Sequence, residues 1–319
     1  MDAWIKTPRA VLEARESQKG LHWALEILIF AALFFVCSIG EVLVTLPFQS
    51  ALLFSDSAYR AALETGDVSL VAEATMEAAK KDSFMLLSLF ATVVMILLVI
   101  LFCKLVQKRR LSSLGFTVKG SGMEYLKGIA AGFLMFSVAV LICVLTGSLT
   151  LSVDGRAFVV SSFLLFIVGY MIQGMAEEVL CRGYFMVSFG RRYPMAAAVL
   201  VNAAAFAALH LLNPGISFLA IINLTLFGIF ASLCFIQTEN IWFVGALHSV
   251  WNLVQGNVYG IKVSGMETTC TVFSSSMTEG RDLINGGAFG LEGGLAVTAV
   301  LVAGIAILLF CHKKEAETV

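Results

Sequence analysis

The chain has 319 residues, of which 59% are hydrophobic and only 13% charged. An ordinary soluble domain carries about 25% charged residues, and the mean hydropathy here is +0.91. Disorder, collagen-like repeats, a disulfide scaffold and a soluble multi-domain enzyme are excluded, because too few polar residues remain to cover globular surfaces. The net charge of −1, with no basic stripe, argues against a nucleic-acid partner.

The expected fold class is all-α, a polytopic transmembrane helix bundle of about eight spans. A crossing needs about 20 mostly apolar residues. In chain order the candidates are Trp23–Leu46, Phe84–Val106, Leu126–Leu149, Phe158–Val179, Pro194–Leu212, Ile216–Gln237, Ile241–Tyr259 and Leu291–Cys311. The first follows a polar stretch with Lys6, Arg9, Arg15 and Lys19, and is too long for a signal-peptide core. It reads as a retained span. Between spans, residues 47–83 are rich in Ala and Glu at helical spacing and predict a surface helix. Residues 260–290 are rich in Gly, Ser and Thr and predict a loop.

Sidedness follows from Lys and Arg. With the N-terminus inside, fourteen basic residues fall on the inner side and six, including Arg156, on the outer. Both termini are therefore expected in the cytoplasm of a cell membrane, and an even number of spans agrees. The domain division expected is 1–124 as N-terminal spans, 125–260 as a core, and 261–319 as an outer loop, final span and tail. The seven cysteines form no CxxC pair and read as small buried hydrophobes.

In a bilayer the informative residues are the costly ones, since a charge at a helix centre costs roughly 2.5–3.5 kcal/mol on insertion scales. Glu26 lies near a span end and is expected to snorkel. Glu41 lies deeper, though close to the outer end. The run after the fourth span is different: Gln173, Glu177, Glu178 and Arg182 fall within ten residues. Glu178 and Arg182 form an i,i+4 pair with the acid first. Glu177 is left to face something else, with Gln173 one turn away.

Asn202, Phe206 and His210 form one stripe on the fifth span, and His248 and Asn252 share a face of the seventh. At 1.5 Å per residue, Glu177 and His248 lie roughly 21 and 14 Å from the inner boundary, while His210 lies roughly 27 Å away, near the far side. A shared polar cavity is expected all the same. A transport path lined by these groups and a non-catalytic scaffold binding a peptide are the competing readings. Gly174 and Gly183 leave a broken helix open, which transport would favour.

These segments resemble the CAAX protease and bacteriocin-processing family, the type II CAAX prenyl endopeptidases. The family's EExxxR, FxxxH and HxxxN motifs stand here, in order, as Glu177-Glu178-xxx-Arg182, Phe206-xxx-His210 and His248-xxx-Asn252. The likeness covers roughly residues 125–260. It implies an intramembrane endopeptidase in which Glu177 activates water with His210 beside it. His248 and Asn252 stabilise the oxyanion, and Glu178, Arg182 and Phe206 orient the site. It implies a peptide or membrane-protein substrate and, for a sequence of bacterial character, peptide maturation or bacteriocin-type processing. Glu with two His is a plausible zinc set, but HExxH is absent, and no metal or other cofactor is expected.

Overall fold

The computed structural model describes residues 6–153 and 158–317, with side chains described up to Phe310. Arg156 lies outside the described residues, as do the side chains of Cys311, His312, Lys313 and Lys314. The molecule is a bundle of apolar helices. Among the described residues, five are long and apolar enough to cross a membrane: Trp23–Ser55, Asp82–Leu105, Ser121–Leu145, Val160–Gly190 and Phe218–Thr238. Met195–Leu209 and Leu295–Phe310 are shorter apolar helices. The expected seventh span is a helix over Ile241–Leu253 prolonged by a π turn, Val254–Val258. An all-helical multi-pass membrane bundle is therefore present, without support for a count of eight spans.

Helix α1 (Arg9–Ser17) precedes α2 (Trp23–Ser55), which runs beyond the expected end at Leu46 and carries Pro47 within it. A proline inside a membrane helix is tolerated where neighbours satisfy the freed backbone groups. The polar segment that follows is two short helices rather than one, α3 (Ser57–Thr65) and α4 (Val68–Ala79). Asp56 caps α3 by accepting from Ala58 N at 2.9 Å, and Asp67 caps α4 by accepting from Ser69 N at 2.8 Å. Gly66, at φ +68°, separates them.

Next come α5 (Asp82–Ala91) and α6 (Val93–Leu105), two parts of one crossing, then α7 (Ser121–Leu145) and the short strand β1 (Leu149–Ser152). Helix α8 (Val160–Glu178) continues through a π turn, Val179–Met186, into α9 (Val187–Gly190). After α10 (Met195–Leu209) and α11 (Phe218–Thr238) comes α12 (Ile241–Leu253). The return segment holds β2 (Ser274–Met277) and α13 (Asp282–Asn285) before α14 (Leu295–Glu317). β1 and β2 pair antiparallel, with Leu149 opposite Met277. The expected 260–290 loop is thus largely irregular, with one strand pinned to the end of α7.

Helix α12 lies at the centre, buried on nearly every side. Its closest neighbours reach it through small residues, the usual device where lipid provides no hydrophobic drive between helices. A Cβ placed on Gly128 of α7 would fall 2.3 Å from the Phe243 carbonyl oxygen, and one on Gly132 would fall 2.4 Å from that of Leu247. On the opposite flank, a Cβ on Gly174 of α8 would meet Ser249 Oγ at 2.5 Å. These approaches bring the backbones of α7 and α8 against α12, so that the polar side chains of α8 and α12 meet.

Glu26 does not snorkel. It is fully buried, accepts from Leu21 N at 3.0 Å, and pairs with Arg191 Nη2 at 3.3 Å. An ion pair compensates the charge that the span end would otherwise carry into lipid. The cysteines behave as small hydrophobes: all six described ones are free and buried, including Cys270 in the return segment.

Candidate active site

The three sequence motifs meet in one place. Glu177, His210, His248 and Asn252 line a single cavity of about 160 Å³, with Gln173 and Phe206 in the same wall. A void of about 150 Å³ holds one benzene ring, so there is room for one side chain or a short stretch of extended chain. Asn202 does not reach it. Its amide donates to Ser232 Oγ at 3.0 Å and ties α10 to α11 instead. Glu41, on α2, does not line the cavity either, and one of its carboxylate oxygens is buried without a partner.

The two adjacent glutamates point to different partners, as helical geometry requires of neighbours about 100° apart. Glu178 is fully buried and binds Arg182 Nη1 at 2.7 Å, one turn along. The same oxygen of Glu178 lies 2.9 Å from His248 Nδ1. Arg182 is fully buried too, donates to the Gly228 carbonyl at 3.2 Å, and lies over the Phe206 ring, 4.7 Å from its centroid. Burying charge is costly unless it is paired and hydrogen-bonded; here one carboxylate compensates both a guanidinium and an imidazole N–H.

Glu177 faces the cavity. Its Oε1 accepts from Gln173 Nε2 at 2.5 Å, and Gln173 Oε1 in turn accepts from Asn252 Nδ2 at 3.0 Å. Its Oε2 has no hydrogen-bond partner among the described residues and lies 3.8 Å from His248 Nε2. That separation is too long for a direct hydrogen bond. The Gln173 relay links the carboxylate of α8 to the amide of α12, and it leaves one N–H of Asn252 unused.

His210 terminates α10, and its Nδ1 lies 2.8 Å from the Phe206 carbonyl oxygen. A carbonyl only accepts, so Nδ1 carries a proton, and in the neutral ring Nε2 is the acceptor. Phe206 stands between the two histidines, its ring 4.8 Å from His210 and 5.9 Å from His248. Counting along the chain puts His210 near the far boundary, and its position at the end of a short helix agrees. The cavity itself reaches that end of the bundle, where Asn213 and Ser264 also line it.

Two features escape sequence spacing. The first is the π turn that carries Arg182, a widening of the helix often found at functional sites. Arg109, from the connection before α7, donates to the Gly183 and Tyr184 carbonyls at 2.8 and 3.4 Å and so anchors the turn. Burial pushes the Arg109 guanidinium down to about 10, which leaves it charged at neutral pH. The second is the contribution of the return segment, Ser264 and Glu292, to the cavity wall. No motif marks them; a lone Glu in a glycine-rich stretch is the one available signal.

Among the described residues, no three His, Cys, Asp or Glu side chains are grouped to hold one metal ion. The arrangement offers a carboxylate with a free oxygen, the His210 imidazole with Nε2 free, and, on one helix face, an unused Asn252 N–H beside the His248 ring. That set can move a proton and stabilise an oxyanion.

No curated protein and no solved structure matches the chain. A family model does: residues 159–254 match the type II CAAX prenyl endopeptidase Rce1-like family. The matched segment begins just before α8 and ends with α12, so it spans every motif residue in the cavity wall. The similarity of this multi-pass membrane protein to the type II CAAX prenyl endopeptidase Rce1-like family thus lies in residues 159–254.

Proposed function

We propose that the protein is an intramembrane endopeptidase that hydrolyses a peptide bond with water activated by Glu177. The observation that carries this reading is the convergence of Glu177, His210, His248 and Asn252 on one small cavity inside an apolar bundle. Polar groups at such depth are costly and mark function. The Rce1-like match over the same segment supports it. The helix passes unbroken through Glu177 as one element, Val160–Gly190, which favours a fixed one-sided site over a transport path.

In this reading Glu177 Oε2 takes a proton from water as the oxygen attacks the scissile carbonyl carbon. His210 Nε2 accepts a hydrogen bond from the same water. The developing oxyanion receives hydrogen bonds from His248 Nε2–H and from the free N–H of Asn252. Glu177 then returns the proton to the leaving nitrogen as the C–N bond breaks. Glu178, Arg182 and Phe206 hold the histidine and take no part in proton transfer. No step is assigned to a metal ion.

The catalytic core is assigned to residues 125–260, in a bacterial cell membrane with both termini cytoplasmic. The substrate is a membrane-associated peptide or protein, of the kind matured in bacteriocin-type processing. Membrane-peptide proteomics of cells carrying wild type or Glu177→Gln is the test. Peptides whose cleavage vanishes with the variant support the reading; identical peptide profiles overturn it.

A further inference from the structure

Beyond the motif residues, the cavity wall contains a second carboxylate. Glu292 sits in a short turn, Leu291–Gly293, just before α14, and lines the same cavity as Glu177. It is nine-tenths buried, at 9% exposure. Its position is firmly built. The Glu292 carbonyl accepts from Asn223 Nδ2 at 2.8 Å, and Thr298 Oγ1 donates to Asn223 Oδ1 at 2.7 Å. Its side-chain Oε2 accepts from both the backbone N and the hydroxyl of Ser264, at 2.8 and 2.9 Å. Ser264 holds a left-handed conformation, φ +47°, that these bonds help to fix.

Among the described residues, both hydrogen bonds to the Glu292 side chain fall on Oε2, its other oxygen has no partner, and no Lys or Arg pairs with this carboxylate. Lys262, a cation of the same return segment, pairs with Glu267 at 2.9 Å instead. The wall also holds a buried, unsatisfied group. Tyr170 is 1% exposed, lines the cavity, and its hydroxyl is buried without a partner. Stapling Ser264 requires only an acceptor oxygen, which glutamine would supply as well. The charge has no function in the staple, and an uncompensated carboxylate in such a site is costly.

We propose that Glu292 selects substrates that present a cationic nitrogen group beside the scissile bond: a Lys or Arg side chain, or a free α-amino group. Such a group would pair with the free oxygen of Glu292 and donate to the Tyr170 hydroxyl. The inference rests on the proteolytic reading given above and adds the class of peptide that the site takes. Glu292 is a specificity residue here, outside the proton-transfer steps.

The test uses full-length protein in proteoliposomes and a degenerate peptide library with apolar flanks. The library is made in two forms, N-acetylated and with a free N-terminus, and cut sites are read by mass spectrometry. Wild type, Glu177→Gln, Glu292→Gln and Glu292→Lys are compared. Cuts that depend on Glu177 are expected next to Lys or Arg in the acetylated form, or next to the free terminus in the other. The form that carries the preference identifies the source of the charge. In Glu292→Gln the ratio of basic to neutral sites should fall by about 30-fold or more, the usual effect of removing one partner of a desolvated charge pair. In Glu292→Lys the preference should turn to Asp and Glu. Glu177-dependent cuts with no basic enrichment, or the same enrichment in Glu292→Gln, overturn the proposal while leaving the protease intact. An absence of Glu177-dependent cuts overturns the protease reading and this proposal with it.

Discussion

The Nδ1 atom of His248 lies 2.9 Å from Oε1 of Glu178, and this contact decides what the rest of the imidazole can do. The same oxygen is held by Arg182 at 2.7 Å, a charge-assisted bond in which the carboxylate is the acceptor. Nδ1 therefore carries a proton. If His248 is neutral, Nε2 is an acceptor; as an imidazolium, Nε2 is a donor aimed at the cavity. The proposed oxyanion role needs the imidazolium, and Glu178 is placed to stabilise it.

A pH dependence follows from that arrangement. In the proposed mechanism His248 acts with both of its protons, so the rate should fall on the alkaline side as His248 becomes neutral. Replacing Glu178 by Gln removes the charge that holds the imidazolium, so this falling limb should move to lower pH. Single-turnover rates across the neutral and alkaline range measure the limb. A falling limb that does not move in Glu178→Gln would refute the assignment of His248 as a charged donor.

The two neighbouring glutamates should separate activity from stability. Glu177→Gln keeps an oxygen to accept from Gln173, and the side chain lines a cavity, so the folded protein should persist. Its rate should fall at least about 10²–10⁴-fold, the usual contribution of a general base. Arg182→Met instead leaves Glu178 buried without its guanidinium. Breaking a buried pair from one side costs about 3–5 kcal/mol, and thermal unfolding in detergent should detect it. Equal unfolding midpoints for Arg182→Met and wild type would contradict the structural role of the pair.

Much of this site is legible in the sequence, for reasons that particular residues make clear. Glu178 and Arg182 are four apart, and helical spacing alone puts them together. The Phe206–His210 and His248–Asn252 pairs follow from the same rule. What spacing cannot provide is contact between helices. The Glu178–His248 bond joins residues 70 positions apart, and the Gln173–Asn252 bond joins residues 79 apart. Arg109 reaches the carbonyls of the π turn from another element, a contact that no local pattern announces. Glu26 reads as a snorkelling residue in the sequence because its partner, Arg191, is 165 residues away. Glu292 lies in a stretch with no periodicity, where a cavity-lining acid looks like any loop acid. The end of α2 escapes the sequence because Pro47 reads as a stop signal in water, whereas a membrane helix can carry it.

Close approach of α7 to α12 makes a second stability prediction. Gly132→Val would place a branched side chain where even a Cβ meets the Leu247 carbonyl oxygen at 2.4 Å. The helices must part, and overpacking of this kind costs typically about 1–3 kcal/mol. Gly122, on the same helix, faces open space: a Cβ there would meet nothing within 4 Å. Gly122→Ala should therefore leave the protein as stable as before or more so, by up to about 1 kcal/mol from helix propensity. Since α12 carries His248 and Asn252, Gly132→Val should also lower the rate, while Gly122→Ala should not. Unfolding midpoints and rates of the two variants, measured side by side, check both statements.

Metal dependence separates two mechanisms that share the same residues. In the proposed reading, Glu177 and His210 activate water directly, and a strong chelator should leave the rate unchanged. In the alternative, Glu177 and the histidines would hold zinc, and chelation should abolish activity that added zinc restores. The geometry supports the first. A zinc ligand needs an imidazole nitrogen with a free lone pair about 2.0–2.1 Å from the ion. His248 Nε2 and Glu177 Oε2 are 3.8 Å apart, and donation from the ring's other nitrogen to Glu178 suits either mechanism; what favours the first is the Asn252 amide, a donor on the same face. A metal ligand gains nothing from an adjacent amide N–H, whereas an oxyanion is stabilised by it. Elemental analysis of active, purified protein decides between them. Stoichiometric zinc, lost and regained in step with activity, would overturn the assignment of direct water activation to Glu177 and His210.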